Sequence, residues 1–368
     1  MATKNEKVVP WIATHPGTIL KYELEERELS QKEFAQMIDM QTSHLSELIR
    51  GKRSMTKSIS DKIETVLGIS SVSLLNLQTQ YEYDVRKIEE RGIEEQEASK
   101  VLKALDEILC VQILLKALGC PSKSAIMQQK CLKEEAFLST PTELRQETAG
   151  MFKKSSKTGQ DSRMLMTWKI LAEAISRKQS VKGSFDVEQK DSLVASLTSI
   201  LHENKNTIAS VQEVLSNYGI TFCIVDKLKK ASVDGYSYIE NGVPHIILTK
   251  RFDKIDNFAF ALLHEVGHIY LHYQNAEKED FKLSIPDYDN ESAEEREANQ
   301  FAANALISPT DWEDVPKVKV HPVYIQKQYT SWAKSKGFNK WIVLGRIAYE
   351  TGMYKFKADN SRKINCGN

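Results

Sequence analysis

Three histidines and a glutamate stand in the string FALLHEVGHIYLH, residues 260–272. In a helix, His264 and His268 lie one turn and ~40° apart, close enough to hold a single cation. Glu265, next to the first of them, is then placed to take a proton from an attacking water. Neutral imidazoles suit Zn²⁺, so the chemistry in prospect is metal-assisted hydrolysis. His272 follows four residues later, rotated ~80° from His264 and ~12 Å along the axis. That placement suits capping of the helix end, or orienting the groups that surround the ligands, better than ligation.

A third ligand must come from another segment. ESAEEREANQFAANALISP (291–309) reads as a helix with Ala293, Ala298, Phe301, Ala302, Ala305 and Leu306 inward. Glu294 and Glu297 fall on or beside that face, and an inward carboxylate is costly unless paired or coordinated. Glu291 and Glu295 read as members of a solvated face. Periodicity leaves Glu294 and Glu297 both open.

The elements that must hold these groups follow from the pattern. Leu193, Leu197, Ile200 and Leu201 predict one amphipathic helix, and Ile208, Val211, Val214 and Leu215 another. Gly219 ends the latter and leads into ITFCIV (220–225), a β-branched run expected to be a strand. YSYIE and HIILT flank Asn241–Gly242, which predicts a hairpin because both residues tolerate positive φ. Helices are expected over about 256–273 and 290–306, with Pro309 closing the second. Upstream, Val101, Leu102, Leu105, Ile108, Leu109 and Ile113 mark a helix face, and 153–162 reads as a loop.

The N-terminal region carries a different chemistry. In LSQKEFAQMIDMQTSHLSELIRGKRS (29–54), Ser30 and Glu33 form a capping-box pattern. Asp39 stands where a tight turn needs a left-handed residue. A second short helix, Gln41 to Arg50, turns Leu45, Leu48 and Ile49 inward. Gln41, Thr42, Ser43 and His44 at its start, with Gln31 on the preceding helix, could reach base edges. Lys52 and Arg53 beyond Gly51 suit phosphates.

The run HPGTILKYELEERELSQKEFAQMIDMQTSHLSELIRGKRSMT (15–56) resembles the Xre/Cro-type helix-turn-helix, in its HigA-like antitoxin branch. Asp39 departs from the glycine usual at the turn. Residues 215–309, from LSNYGITFCIVDKL to EREANQFAANALISP, resemble the ImmA/IrrE metallopeptidases, and WIVLGRIAYETGMY (341–354) is similar to a closing segment in HigA-like fusions. The resemblance implies a zincin-like domain with Glu265 as general base. It also selects Glu297, the glutamate of the EAN motif, as third zinc ligand beside His264 and His268.

The expected fold is therefore α+β, mainly α with a small β-sheet. It divides into a helix-turn-helix bundle (1–78), a helical connecting region (79–183) and a metallopeptidase-like domain (184–368). The implied function is a transcriptional regulator that binds operator DNA, as a homodimer, and cleaves a regulatory protein. The alternative is a non-catalytic antitoxin-type regulator whose second domain binds a toxin or signal ligand.

Composition bounds these readings. The 368 residues carry 50 basic and 50 acidic groups, which argues against a chain that coats nucleic acid or membrane by bulk charge. The zero is a cancellation: residues 184–314 hold 11 basic against 23 acidic residues, and 315–368 hold 11 against 2. The basic tail could therefore fold back on the acidic block or meet a partner. No apolar run reaches ~18 residues and no secretory signal is visible, so a cytoplasmic protein without membrane attachment is expected. Five cysteines without a CxxC pair read as free thiols in a reducing compartment.

Overall fold

The computed structural model describes residues 10–120, 122–138, 140–142, 144–145, 161–231, 233–249, 253–272, 281–284, 292–317 and 322–366. They form two compact units. One holds the chain through Lys100 with Ser124–Ile126, and the other holds the remainder.

In the first unit, α1 (Pro16–Glu26), α2 (Gln31–Met37), α3 (Thr42–Ile49) and α4 (Lys57–Leu67) surround a core that includes Leu20, Phe34, Ala35, Leu45, Leu48 and Ile63. Local chemistry sets the ends. The Ser30 hydroxyl accepts from the Glu33 amide while the Glu33 carboxylate accepts from the Ser30 amide, satisfying two donors that a helix start leaves open. Asp39 takes φ +48° in the α2–α3 turn, as the position requires. Gly17 lets α1 press on α3, since a Cβ there would lie 2.0 Å from the Leu48 carbonyl oxygen. α5 (Ser71–Asp106) then leads the chain into the second unit.

The second unit is organised by a four-stranded sheet of order β1-β3-β2-β4, with β1 Thr221–Val225, β2 Gly235–Glu240, β3 Val243–Thr249 and β4 Phe281–Ser284. β1 and β3 are parallel, and β2 is antiparallel to both of its neighbours. The hairpin forms where expected. Glu240 pairs with Val243, and the two turn residues take φ +50° (Asn241) and +77° (Gly242), a geometry matched to strand twist.

Successive side chains of β2 point to opposite sides of the sheet. Tyr236 and Tyr238 reach Glu173 and Ser176 on the helix Ser162–Ser176, whereas Ser237 reaches Glu265 on the helix Ile255–His272. The helices Lys190–Glu203 and Thr207–Asn217 form as expected and share the core with Ile255–His272.

Three expectations change. Ser162–Ser176, assigned by sequence to a connecting region, belongs to the second unit: Trp168 is fully buried and donates to the Asp226 carbonyl. Cys120 and Cys131, read as separate thiols, stand side by side, because a helix-loop-helix path brings their Cα atoms to 6.5 Å, within the reach of a disulfide. Pro309 opens a further short helix, Pro309–Glu313, capped by Ser308. Of the expected loop 153–162, residues 153–160 lie outside the described residues. Among the described residues, no helix is long and apolar enough to cross a membrane.

Candidate metal centre and nucleic-acid interface

The helix Ile255–His272 is apolar nearly all round and runs between the sheet and the helix Ala293–Leu306. Gly267 allows the two helices to meet: a Cβ there would lie 3.0 Å from the Phe301 ring and 3.3 Å from the Ala298 Cα. The closing segment fixes both helices. Gly345 makes room for Asp256 near the start of the first, and Asp256 is gripped by both Arg362 Nε (3.0 Å) and a terminal guanidinium nitrogen (2.6 Å). Arg346 donates to the carbonyls of Ala303 and Ile307 at the end of the second. The basic tail thus does fold back on its own unit, with Lys336 also pairing Asp311 and Asp314.

His264, Glu265 and His268 are all buried, with 7%, 1% and 0% exposure. The His264 and His268 Nε2 atoms are 3.0 Å apart. A Glu295 carboxylate oxygen lies 3.2 Å from the first, and its other oxygen 3.6 Å from the second. Tetrahedral Zn²⁺ with bonds near 2.0–2.1 Å sets neighbouring ligand atoms about 3.3 Å apart, so this donor set fits the ion in type and spacing. His264 Nδ1 donates to Asn299 Oδ1 at 2.8 Å, which leaves its Nε2 lone pair for a cation.

With no cation between them, the carboxylate and the imidazoles pair with one another. Burial favours neutral His264, but hydrogen bonding to Glu295 and the nearby carboxylates outweigh it and raise its pKa above the ordinary imidazole value. Burial likewise opposes a charged Glu295, yet hydrogen bonds to both imidazoles hold its pKa well below the usual carboxylate range.

Glu295 therefore occupies the position that the sequence reading gave to Glu297. The reason is where the buried face centres. Ala293 is exposed and Phe301 and Ala305 are only half-buried, so the face runs through Ala298, Ala302 and Leu306. At 100° per residue that shift of centre brings Glu295 to the middle of the face and leaves Glu294 and Glu297 outside it. Glu297, with its side chain 62% exposed, meets His272 Nε2 at 3.0 Å instead. The signal available in the sequence was Asn299, one turn beyond Glu295 and on the same face. His321, which with several tyrosines the sequence offers for stabilising an oxyanion, lies outside the described residues.

Glu265 is held from the sheet side. Ser237 Oγ donates to its carboxylate at 2.6 Å. Gly235, on the same face of β2, leaves the space that the carboxylate fills, since a Cβ there would lie 2.2 Å from its Oε1. Sequence reasoning gave neither residue a role, because nothing in the periodicity of a short strand says which side chain it will face across the layers.

In the first unit, Gln31, Gln41, Thr42, Ser43 and Lys52 are exposed, and His44 and Arg53 are half-buried. The start of α3 thus presents polar side chains outward over an apolar core. Arg53 Nε is 3.3 Å from Glu47, an exposed pair that phosphate can displace.

A helix-turn-helix family model matches residues 20–74, and the model of peptidase family M78, described as an IrrE N-terminal-like domain, matches residues 217–329. Over 69 residues the chain is 36% identical to the uncharacterized HTH-type transcriptional regulator YddM of Escherichia coli (strain K12), covering 18% of this chain and 73% of that protein.

Proposed function

Since the chain belongs to the HTH-type regulators and carries an IrrE N-terminal-like domain of peptidase family M78, we propose that it is a cytoplasmic, DNA-binding transcriptional regulator whose second unit is a zinc-dependent endopeptidase acting on a regulatory protein. The observation that carries the catalytic half is the convergence of two imidazole Nε2 atoms and the Glu295 carboxylate beside a buried, hydrogen-bonded Glu265.

His264, His268 and Glu295 would hold Zn²⁺, which when bound supplies Lewis-acid activation of water and of the scissile carbonyl. Glu265, oriented by Ser237, takes the proton of the attacking water as its oxygen adds to the carbonyl carbon, then delivers that proton to the amide nitrogen, and the carbonyl re-forms as the peptide C–N bond breaks. The protein substrate is a repressor or toxin.

In the first unit, Gln31, Gln41, Thr42, Ser43 and His44 contact bases, and Lys52 and Arg53 contact phosphates. A homodimer supplies two such readers to one operator, compensating for a unit with little net charge.

Metal analysis followed by incubation with candidate repressor or toxin tests the catalytic half. The wild type carries Zn²⁺ and cleaves; Glu265→Gln keeps the ion and loses about 10²–10⁴-fold in rate. Absence of Zn²⁺, or cleavage that survives Glu265→Gln, overturns the reading.

A further inference from the structure

We infer that Glu297 and His272 form a hydrogen-bonded relay that fixes the tautomer of His268 and so positions it for the metal. The inference rests on the metal-centre reading above. Its basis is a chain of three contacts. Glu297 Oε2 meets His272 Nε2 at 3.0 Å, His272 Nδ1 meets His268 Nδ1 at 2.9 Å, and His268 Nε2 faces His264 and Glu295.

With both rings neutral and a cation at the position their Nε2 atoms share, proton counting allows one solution. A carboxylate can only accept, so His272 Nε2 carries a hydrogen. A neutral His272 then has a lone pair on Nδ1, and the 2.9 Å contact requires one donor, so His268 Nδ1 carries its hydrogen. That leaves His268 Nε2 with the lone pair directed at the cation position. His264 reaches the same tautomer by a separate route, through Asn299.

Burial follows the relay inward. The Glu297 side chain is 62% exposed, that of His272 8% and that of His268 0%. The charged end stays in solvent, while the two rings it orders are progressively withdrawn. Position 272 serves this purpose because it is one turn beyond His268, where the rings can touch at their Nδ1 edges. A residue at that position is too far along the axis to ligate the ion that His264 holds.

The test uses the full-length chain with Zn²⁺ as the probe, its affinity measured by competition with a chromophoric chelator. Wild type binds; His272→Ala binds about 10–100-fold more weakly, and His272→Gln, whose side-chain carbonyl can accept from His268, recovers much of the loss. Glu297→Ala, at an exposed position that folding tolerates, also weakens binding. Glu297→Gln, which keeps an acceptor, stays well above Glu297→Ala. Imidazole ¹⁵N spectra of the wild type show the hydrogen of His268 on Nδ1, and in His272→Ala that preference is lost.

If wild type takes up no Zn²⁺, the metal reading itself falls. If it does, but His272→Ala binds equally well, the relay alone is overturned. Equal losses in Glu297→Gln and Glu297→Ala would make the effect one of charge, and would also overturn it.

Discussion

Two polar clusters lie on opposite sides of the same sheet, and they solve burial in opposite ways. On the side of the helix Ser162–Ser176, cations and carboxylates come in matched numbers. Lys169 Nζ is 2.6 Å from Glu173, and Arg177 grips Glu240 with Nε at 2.9 Å and a terminal nitrogen at 2.8 Å. Tyr236 adds a hydroxyl to Glu173, and Ser176 and Thr221 both meet His245 Nδ1. Every charge has its counter-charge within the fold.

On the side of the helix Ile255–His272, the partners of Glu295 are two imidazoles, and their Nε2 atoms are aimed at one another 3.0 Å apart. With the tautomers proposed above, in which Asn299 and His272 take up the Nδ1 hydrogens, both Nε2 lone pairs would face one position, and a cation there would join them. Burial and perturbed ionisation are common to both clusters; what separates a structural network from a binding centre is whether its charges and lone pairs close on themselves.

The most severe way to break that contrast is to remove one carboxylate from each cluster. Glu295→Gln should weaken Zn²⁺ binding by more than the 10–100-fold expected of an outer partner. Glu173→Gln should leave Zn²⁺ affinity unchanged yet lower stability by about 3 kcal/mol, because the nearly buried Lys169 loses its counter-charge. Chelator competition and denaturant unfolding, each with and without Zn²⁺, separate the two effects. If both variants move the same quantity, the clusters do not differ in kind.

What the sequence revealed of this contrast depended on repetition. HExxH announces itself because helical spacing alone brings His264 and His268 together, and the hairpin is announced by Asn241–Gly242. The bundle was equally legible, since Ser30, Glu33 and Asp39 act within a few residues of themselves. Glu295 was missed because a helix of small residues has a diffuse apolar face, whose true centre is set by which of Ala298, Phe301, Ala302 and Ala305 another element covers. The matched cluster was not visible at all. It joins Lys169, Arg177, Tyr236 and His245 from three elements, and no local pattern encodes a pairing across a sheet.

A second, smaller test uses acid. His245 is buried and stacked on Tyr238 with ring centroids 4.4 Å apart, and burial lowers its pKa from 6.5 to about 4, the charges of Glu240 and Glu173 opposing the shift and that of Arg177 adding to it. The folded state therefore binds fewer protons than the unfolded chain between those values. Stability should be fully present above pH 6.5 and decline as pH falls toward 4, by about 3 kcal/mol at most. His245→Gln should flatten that decline in equilibrium unfolding measured across this range. A slope unchanged by the substitution would remove His245 from the network's account.

The finest test lies in two adjacent residues of β2, which face opposite clusters. Tyr236→Phe deletes the hydroxyl that donates to Glu173, but Lys169 and Arg177 continue to neutralise that carboxylate. The expected cost is about 1–2 kcal/mol in unfolding, with cleavage and Zn²⁺ affinity unchanged. Ser237→Ala deletes the donor that orients Glu265. It should lower kcat about tenfold, a modest share of what a positioned base supplies, while KM and Zn²⁺ affinity hold. A strand alternates its side chains, so one step along the chain should exchange a stability phenotype for a catalytic one. If Tyr236→Phe slows cleavage as much as Ser237→Ala does, the sheet transmits between the clusters and they act as a single site.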